Sequence, residues 1–147
     1  YKKSKSRKLV SKSKIYLFDV GVANYLAGRK EVLLRSEAFG KAFEHFIIQE
    51  IRACISYQQR DVPMTYWRTL GGQHEVDCLI GESAALEIKA SENFNERMLS
   101  SLYALKSEKR IKRLILVSRD RVERKVEGIE VMYYELFLNR LWAGEFF

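Results

Sequence analysis

Residues 75–90, reading EVDCLIGESAALEIKA, constrain the fold more than any other stretch. From Glu75 to Ile80, Val76, Cys78 and Ile80 alternate with acidic or aliphatic residues, the period of two expected of a half-buried strand. Gly81, Glu82 and Ser83 supply a turn, and Ala84 to Ala90 forms a second apolar run, polar only at Glu87 and Lys89. Closing Ile80 on Ala84 through this three-residue loop places Asp77 directly opposite Glu87 and Glu75 opposite Lys89. All four then share one face. Two carboxylates opposed across a ladder destabilise it by roughly 0.2–1 kcal/mol. A divalent cation relieves that repulsion, because hard oxygen ligands favour it. Lys89 can neutralise an anion or orient a water, so the arrangement suits phosphodiester cleavage with the metal as Lewis acid. A solvated sheet face carrying Glu, Asp, Glu and Lys is the simpler alternative.

The helix that precedes this hairpin carries one residue out of pattern. Residues 38–57 contain no proline and no glycine after Gly40, and Phe39, Phe43, Phe46, Ile47 and Cys54 mark an apolar stripe. Glu44 shares a helical row with Ile48, Ile51 and Ile55. A carboxylate is seldom buried without a partner. Glu44 therefore either reaches water at the rim of the stripe or points at the carboxylates of the hairpin.

The other elements follow from local pattern. Lys14 to Asp19 (KIYLFD) reads as a short strand, and Val20 to Gly28 as a short helix stopped by Gly28. After Pro63, Met64 to Arg68 is a strand of aromatic and β-branched residues. A helix spans about Asn95 to Glu108, with Met98, Leu102 and Leu105 apolar. Arg113 to Ser118 is a continuous apolar run, as in a strand covered on both faces. A charged loop, a strand from Ile129 to Tyr133 and a helix from Tyr134 to Trp142 end the chain. The order predicts an α/β fold, a mixed central sheet flanked by helices.

With 147 residues, 47% of them hydrophobic, the chain can bury one proper core. Its net charge of +7 is uneven: seven of the 26 basic residues fall within residues 1–14, beside no acid. The remainder holds 19 basic and 19 acidic residues and is neutral. Residues 1–13 read as a basic linker or arm, solvated or phosphate-binding, and residues 14–147 as one domain. Cys54 and Cys78 match no zinc spacing and fit a reducing cytoplasm as small buried residues. No run approaches the roughly 18 apolar residues of a membrane span. Tyr1 in the place of an initiator methionine suggests a piece of a longer protein.

Alternative chemistries find little support. His45 and His74 are the only histidines, neither placed as a ligand, and no serine or cysteine is spaced for a triad. Neither a GxxxxGK[ST] loop nor a GxGxxG is present. Asn93, Asn95 and Arg97 could meet phosphate at a helix N-terminus.

Glu44 on a helix, then Asp77, then Glu87-Ile88-Lys89, resembles the PD-(D/E)xK nuclease superfamily. A closer resemblance is to the DUF4143 domain found at the C-terminus of many prokaryotic AAA+-type ATPases. It rests on KIYLFDVGVANYLAG, GKAFEHFIIQEI, YWRT…EVDCLI, ALEIKAS, RLILVS and VMYYELFLNRLW, and so covers nearly all of residues 14–142. The resemblance implies a restriction-endonuclease-like core acting on DNA, with Glu44, Asp77, Glu87 and Lys89 as the catalytic set. Asp77 and Glu87 would hold Mg²⁺ or Mn²⁺, and Glu44 would add a direct or water-mediated ligand. Lys89 would position the attacking water or stabilise the pentavalent phosphate. The glutamine motif that some exonuclease members carry after the lysine is absent, which leaves exonuclease action without support. It also implies an upstream ATPase domain in the full-length chain, joined through the basic arm. The competing reading is a non-catalytic DNA- or partner-binding or assembly module of such an ATPase.

Overall fold

A computed structural model describes residues 14–147; the expected basic arm, residues 1–13, lies outside the described residues. The chain runs through α1 (Val20–Leu26), α2 (Glu37–Tyr57), β1 (Met64–Arg68), β2 (Glu75–Ile80) and β3 (Ala84–Lys89). A 3-10 turn (Glu96–Leu99) leads into α3 (Ser100–Glu108), followed by β4 (Arg113–Ser118), β5 (Arg124–Val126), β6 (Ile129–Tyr133) and α4 (Tyr134–Trp142).

The strands form one six-stranded sheet in the order β1-β2-β3-β4-β6-β5. β1, β2 and β3 are an antiparallel meander, whereas β3, β4 and β6 run parallel. β5 closes the far edge antiparallel to β6. The expected mixed α/β architecture is therefore present. β3 and β4 are buried along nearly their whole length, as their unbroken apolar runs require.

Two apolar layers sandwich the sheet. On one side Ile47, Ile48 and Ile51 of α2 and Phe137 and Leu141 of α4 pack on Ile80, Leu86, Ile88 and Val117. On the other, Leu102 and Leu105 of α3 cover Val76, Leu79, Ala85 and Leu116. α2 begins where Ser36 caps it, its side chain accepting from the Phe39 N–H at 3.1 Å, with Glu37 in the first turn.

Three local features depart from the sequence reading. Lys14 to Asp19 forms no strand and bends at Phe18. It is held by side chains instead: the Leu17 carbonyl accepts from His45 Nε2 at 2.6 Å and from Gln49 Nε2. β5 arises within the expected charged loop. Glu127 and Gly128, with φ of 48° and 88°, make a two-residue turn that folds it back on β6.

The third departure changes the site. The hairpin pairs as expected at Ile80↔Ala84, Leu79↔Ala85 and Cys78↔Leu86, but the β2–β3 ladder stops there. Thr65 pairs with Leu79 while Trp67 pairs with Val76, so β2 carries one extra residue between them. That bulge reverses the alternation at Asp77 and Cys78. Val76 packs toward α3 and Cys78 toward α2, although two positions separate them. Asp77 and Glu87 are consequently not ladder partners.

Candidate metal and phosphate site

The bulge turns Asp77 toward α2. Its Oδ2 reaches across the parting strands and accepts the Ile88 N–H at 2.9 Å, and its Oδ1 faces Lys14 Nζ at 3.2 Å. Glu44, one turn before Ile48 on the core row of α2, meets the same ammonium through Oε1 at 3.3 Å. Glu75 Oε1 approaches it at 2.6 Å. Lys14 thus draws together carboxylates from α2 and β2. Tyr16 adds a hydroxyl donating to Glu44 Oε1 at 2.7 Å, and Arg68 Nε lies 3.1 Å from the other oxygen of Glu75.

Glu87 and Lys89 approach from the other side. Along β3, Leu86 and Ile88 face α2, so the pleat starts Glu87 and Lys89 toward the α3 side. Lys89 Nζ pairs with Glu87 Oε1 at 2.6 Å. Glu87 is 4% exposed, and its Oε2 is buried with no hydrogen-bond partner. The four expected site residues are brought to one region but not onto one face. This corrects the direct opposition of Asp77 with Glu87 and of Glu75 with Lys89.

The electrostatics record this crowding. Burial, then the charge of Asp77, pushes the Glu87 carboxyl from 4.5 up to about 7, with Lys89 pulling the other way. Burial and the charge of Glu44 raise Asp77, opposed by the Ile88 N–H and the two lysines. Burial works against the Lys14 charge, yet the Glu75 hydrogen bond and the fields of Asp77 and Glu44 raise its pKa well above the ordinary lysine value. Lys89 is raised despite its burial, by Glu87 beside it. Burial and the hydrogen bond to Glu44 lift the Tyr16 hydroxyl as well.

The donor chemistry fits a hard divalent cation. Three carboxylate oxygens already surround a positive charge, and Glu87 keeps one buried oxygen free. What the arrangement lacks is convergence: among the described residues no three His, Cys, Asp or Glu side chains form a metal-holding group. Lys14 stands where their oxygens would meet.

Two openings flank the cluster. Asp77, Lys14, Tyr16 and Arg52 line a cavity of about 300 Å³. Lys89 lines a second, of about 460 Å³, with Arg35, Ser36 and Arg119. In the latter Glu92 neutralises part of the charge, lying 3.2 Å from Arg35 and 2.8 Å from Arg119.

The remaining candidates are structural. His45 is buried and fastens the Leu17 carbonyl; His74 closes a turn with Thr69 through its backbone. Asn95 caps the 3-10 turn with its own side chain, accepting from the Arg97 N–H at 2.9 Å, and Ser91 Oγ takes the Asn93 N–H. Lys14 and Tyr16 join the cluster without having been singled out from the sequence, and Glu75, expected on the hairpin face opposite Lys89, meets Lys14 instead. The signal for the first two was there: Lys14 and Tyr16 alternate along one extended stretch, which puts both on one side.

Helix α2, the β1–β3 meander and this cleft define a mixed α/β protein with an acidic cluster at the point where β2 and β3 part. Residues 39–137 match the family described as "Domain of unknown function (DUF4143)", and the chain belongs to it. The matched span contains Glu44, Asp77, Glu87 and Lys89 and leaves out Lys14 and Tyr16. No curated protein and no solved structure matches the chain.

Proposed function

We propose that this is a metal-dependent nuclease-like domain that hydrolyses DNA phosphodiesters, built on a restriction-endonuclease-like PD-(D/E)xK core. The observation that carries the reading is Glu87, a buried carboxylate with an unpartnered oxygen beside Asp77 and Lys89. Perturbed carboxylates gathered in a cleft are how acid–base sites are built. Helix, antiparallel meander, helix and parallel strand in that order agree with the proposed core.

Asp77 and Glu87, with Glu44, would hold Mg²⁺ or Mn²⁺. Such an ion supplies Lewis acidity and lowers the pKa of water. The chain does the positioning. The Ile88 N–H fixes the Asp77 carboxylate. Burial and the charge of Asp77 hold the Glu87 carboxyl well above the ordinary carboxylate range in the absence of a cation, a strain that a bound divalent ion would relieve. Lys89 holds a positive charge where a phosphate entering the larger opening gathers negative charge. Arg35, Lys89 and Arg119 against the single acid Glu92 give that opening an excess of positive charge for a DNA backbone. Two buried free thiols, Cys54 and Cys78, suit a reducing cytoplasmic setting. No helix among the described residues is long and apolar enough to cross a membrane.

A second reading is a non-catalytic DNA- or partner-binding or assembly module attached to an upstream AAA+-type ATPase. It is favoured by Lys14, which already neutralises the carboxylates a metal would use. Incubating supercoiled plasmid with the protein and Mn²⁺ separates the two. Nicking that Asp77→Asn and Glu87→Gln each reduce at least a hundredfold supports hydrolysis. Intact plasmid at millimolar Mn²⁺, with metal binding verified, transfers the assignment to the binding module.

A further inference from the structure

We infer that Lys14 is a built-in competitor for the divalent cation, so that metal enters the acidic cluster only when the segment from Lys14 to Phe18 lifts away. The inference rests on the metal-site reading above but not on DNA hydrolysis.

The ammonium lies within 3.3 Å of carboxylate oxygens from Glu44, Glu75 and Asp77. Those oxygens come from α2 (Glu44) and β2 (Glu75 and Asp77), and the one ammonium is shared by all three. A divalent ion needs oxygens at about 2.0–2.6 Å and cannot share that space with an ammonium nitrogen. The two cations therefore exclude one another. A second observation marks the cluster as incomplete: Glu87 is almost wholly buried and leaves Oε2 unsatisfied, while the charge of Asp77 acts on it. Lys14 does not serve that oxygen.

The segment that carries Lys14 is held by side chains rather than by strand pairing. It joins no strand, so no ladder holds it. Its anchors are the Leu17 carbonyl, gripped by His45 and Gln49, and the Tyr16 hydroxyl on Glu44. On either side of these anchors Ile15 and Phe18 are exposed, at 86% and 82%, and add little burial, whereas Tyr16 packs on the core beside His45. Displacing it sacrifices these polar contacts, the Lys14 ion pairs and the packing of Tyr16 on the core, but no strand pairing.

When a binding-competent state is rarely populated, apparent affinity falls by its population; an ammonium in place all but about 1% of the time weakens metal binding about a hundredfold. Mn²⁺ binding is measured by calorimetry and by loss of the free-ion paramagnetic resonance signal, on the full chain, Lys14→Met and Lys14→Arg. Lys14→Met is expected to bind at least tenfold tighter than the parent, and Lys14→Arg no tighter. Equal affinity for the parent and Lys14→Met overturns the competition and leaves the metal site standing. No binding by any of the three removes both. An independent reading needs no substitution. Trypsin cuts after Lys14 only when its side chain is free, so Mn²⁺ should speed the appearance of fragments beginning at Ile15, followed by mass spectrometry. A rate unchanged by Mn²⁺ that demonstrably binds overturns the inference, even if Lys14→Met does not fold.

Discussion

Asp77 Oδ2 accepts the backbone N–H of Ile88 at 2.9 Å, across strands whose ladder has already ended at Cys78 and Leu86. The side chain thus does what a strand carbonyl would have done, and the bulge in β2 is what turns it there. A carboxylate whose position is set by a main-chain bond on β3 is both a structural clasp and a candidate ligand.

Those two roles separate by substitution. Asp77→Ala leaves the Ile88 N–H, buried at a residue 4% exposed, without an acceptor, and a buried orphan donor costs about 1–3 kcal/mol. Asp77→Asn keeps an acceptor and removes one of the crowded negative charges, so its stability should lie within about 0.5 kcal/mol of the parent. Urea midpoints at unchanged slope provide the comparison. Equal losses for both variants would mean that the charge, not the clasp, matters.

Glu87 gives the fold a pH dependence of unusual sign. Its carboxyl is raised from 4.5 to about 7 on folding, so between those values the native state binds more protons than the unfolded one. Stability in the absence of metal therefore falls as pH rises from about 4.5 to about 7. Asp77, raised in the same sense, adds to the slope. The loss due to Glu87 is on the order of 1–3 kcal/mol. Glu87→Gln should flatten most of it in denaturation curves taken at pH 5 and pH 8. A parent protein that gains stability across this interval contradicts the account.

Where side-chain period and turn chemistry decide structure, residues alone place it. The aromatic run at Met64–Arg68, the unbroken apolar run at Arg113–Ser118 and the helix at Tyr134–Trp142 sit where pattern locates them. The bulge was not legible. Register counted from the loop assumes one residue per partner, and neither Asp77 nor Cys78 is a glycine that would flag an insertion. β5 stayed hidden because Arg124 and Lys125 read as loop, although its three residues pair with β6. Lys14 stayed hidden for another reason. Local pattern places it only as the first residue of an expected short strand, and its long-range approach to Glu44, Glu75 and Asp77 is what sets it apart.

The far end of the sheet is secured by Arg113. Its Nε and Nη2 donate to Glu130 Oε1 and Oε2 at 2.8 and 2.9 Å, and the guanidinium lies 4.6 Å from the Phe146 ring centroid. Phe146 is buried against Phe137 of α4. Phe146→Ala should destabilise by about 3–5 kcal/mol, the range for emptying a buried aromatic site. Arg113→Lys, which keeps charge but loses the fork and the stacking, should cost about 1 kcal/mol. Both values come from urea denaturation. A Phe146→Ala loss under about 1 kcal/mol would show that the C-terminal turn does not close the core.

Metal removal should leave the fold intact, because the cluster carries its own counter-charges. Glu44, Glu75, Asp77 and Glu87 are met by Lys14, Arg68 and Lys89, leaving a single excess negative charge where the Glu87 carboxyl is ionised. In small domains organised by a structural ion, the binding free energy is folding free energy, and a chelator unfolds them. Here two apolar layers hold the sheet independently of the cluster. The melting temperature with excess EDTA should therefore stay within about 2 °C of that in dilute Mg²⁺, since a shift of that size corresponds to less than about 1 kcal/mol for a chain of this length. A fall of 10 °C or more would show that the carboxylates need a divalent ion to fold, and that Lys14 does not supply their counter-charge.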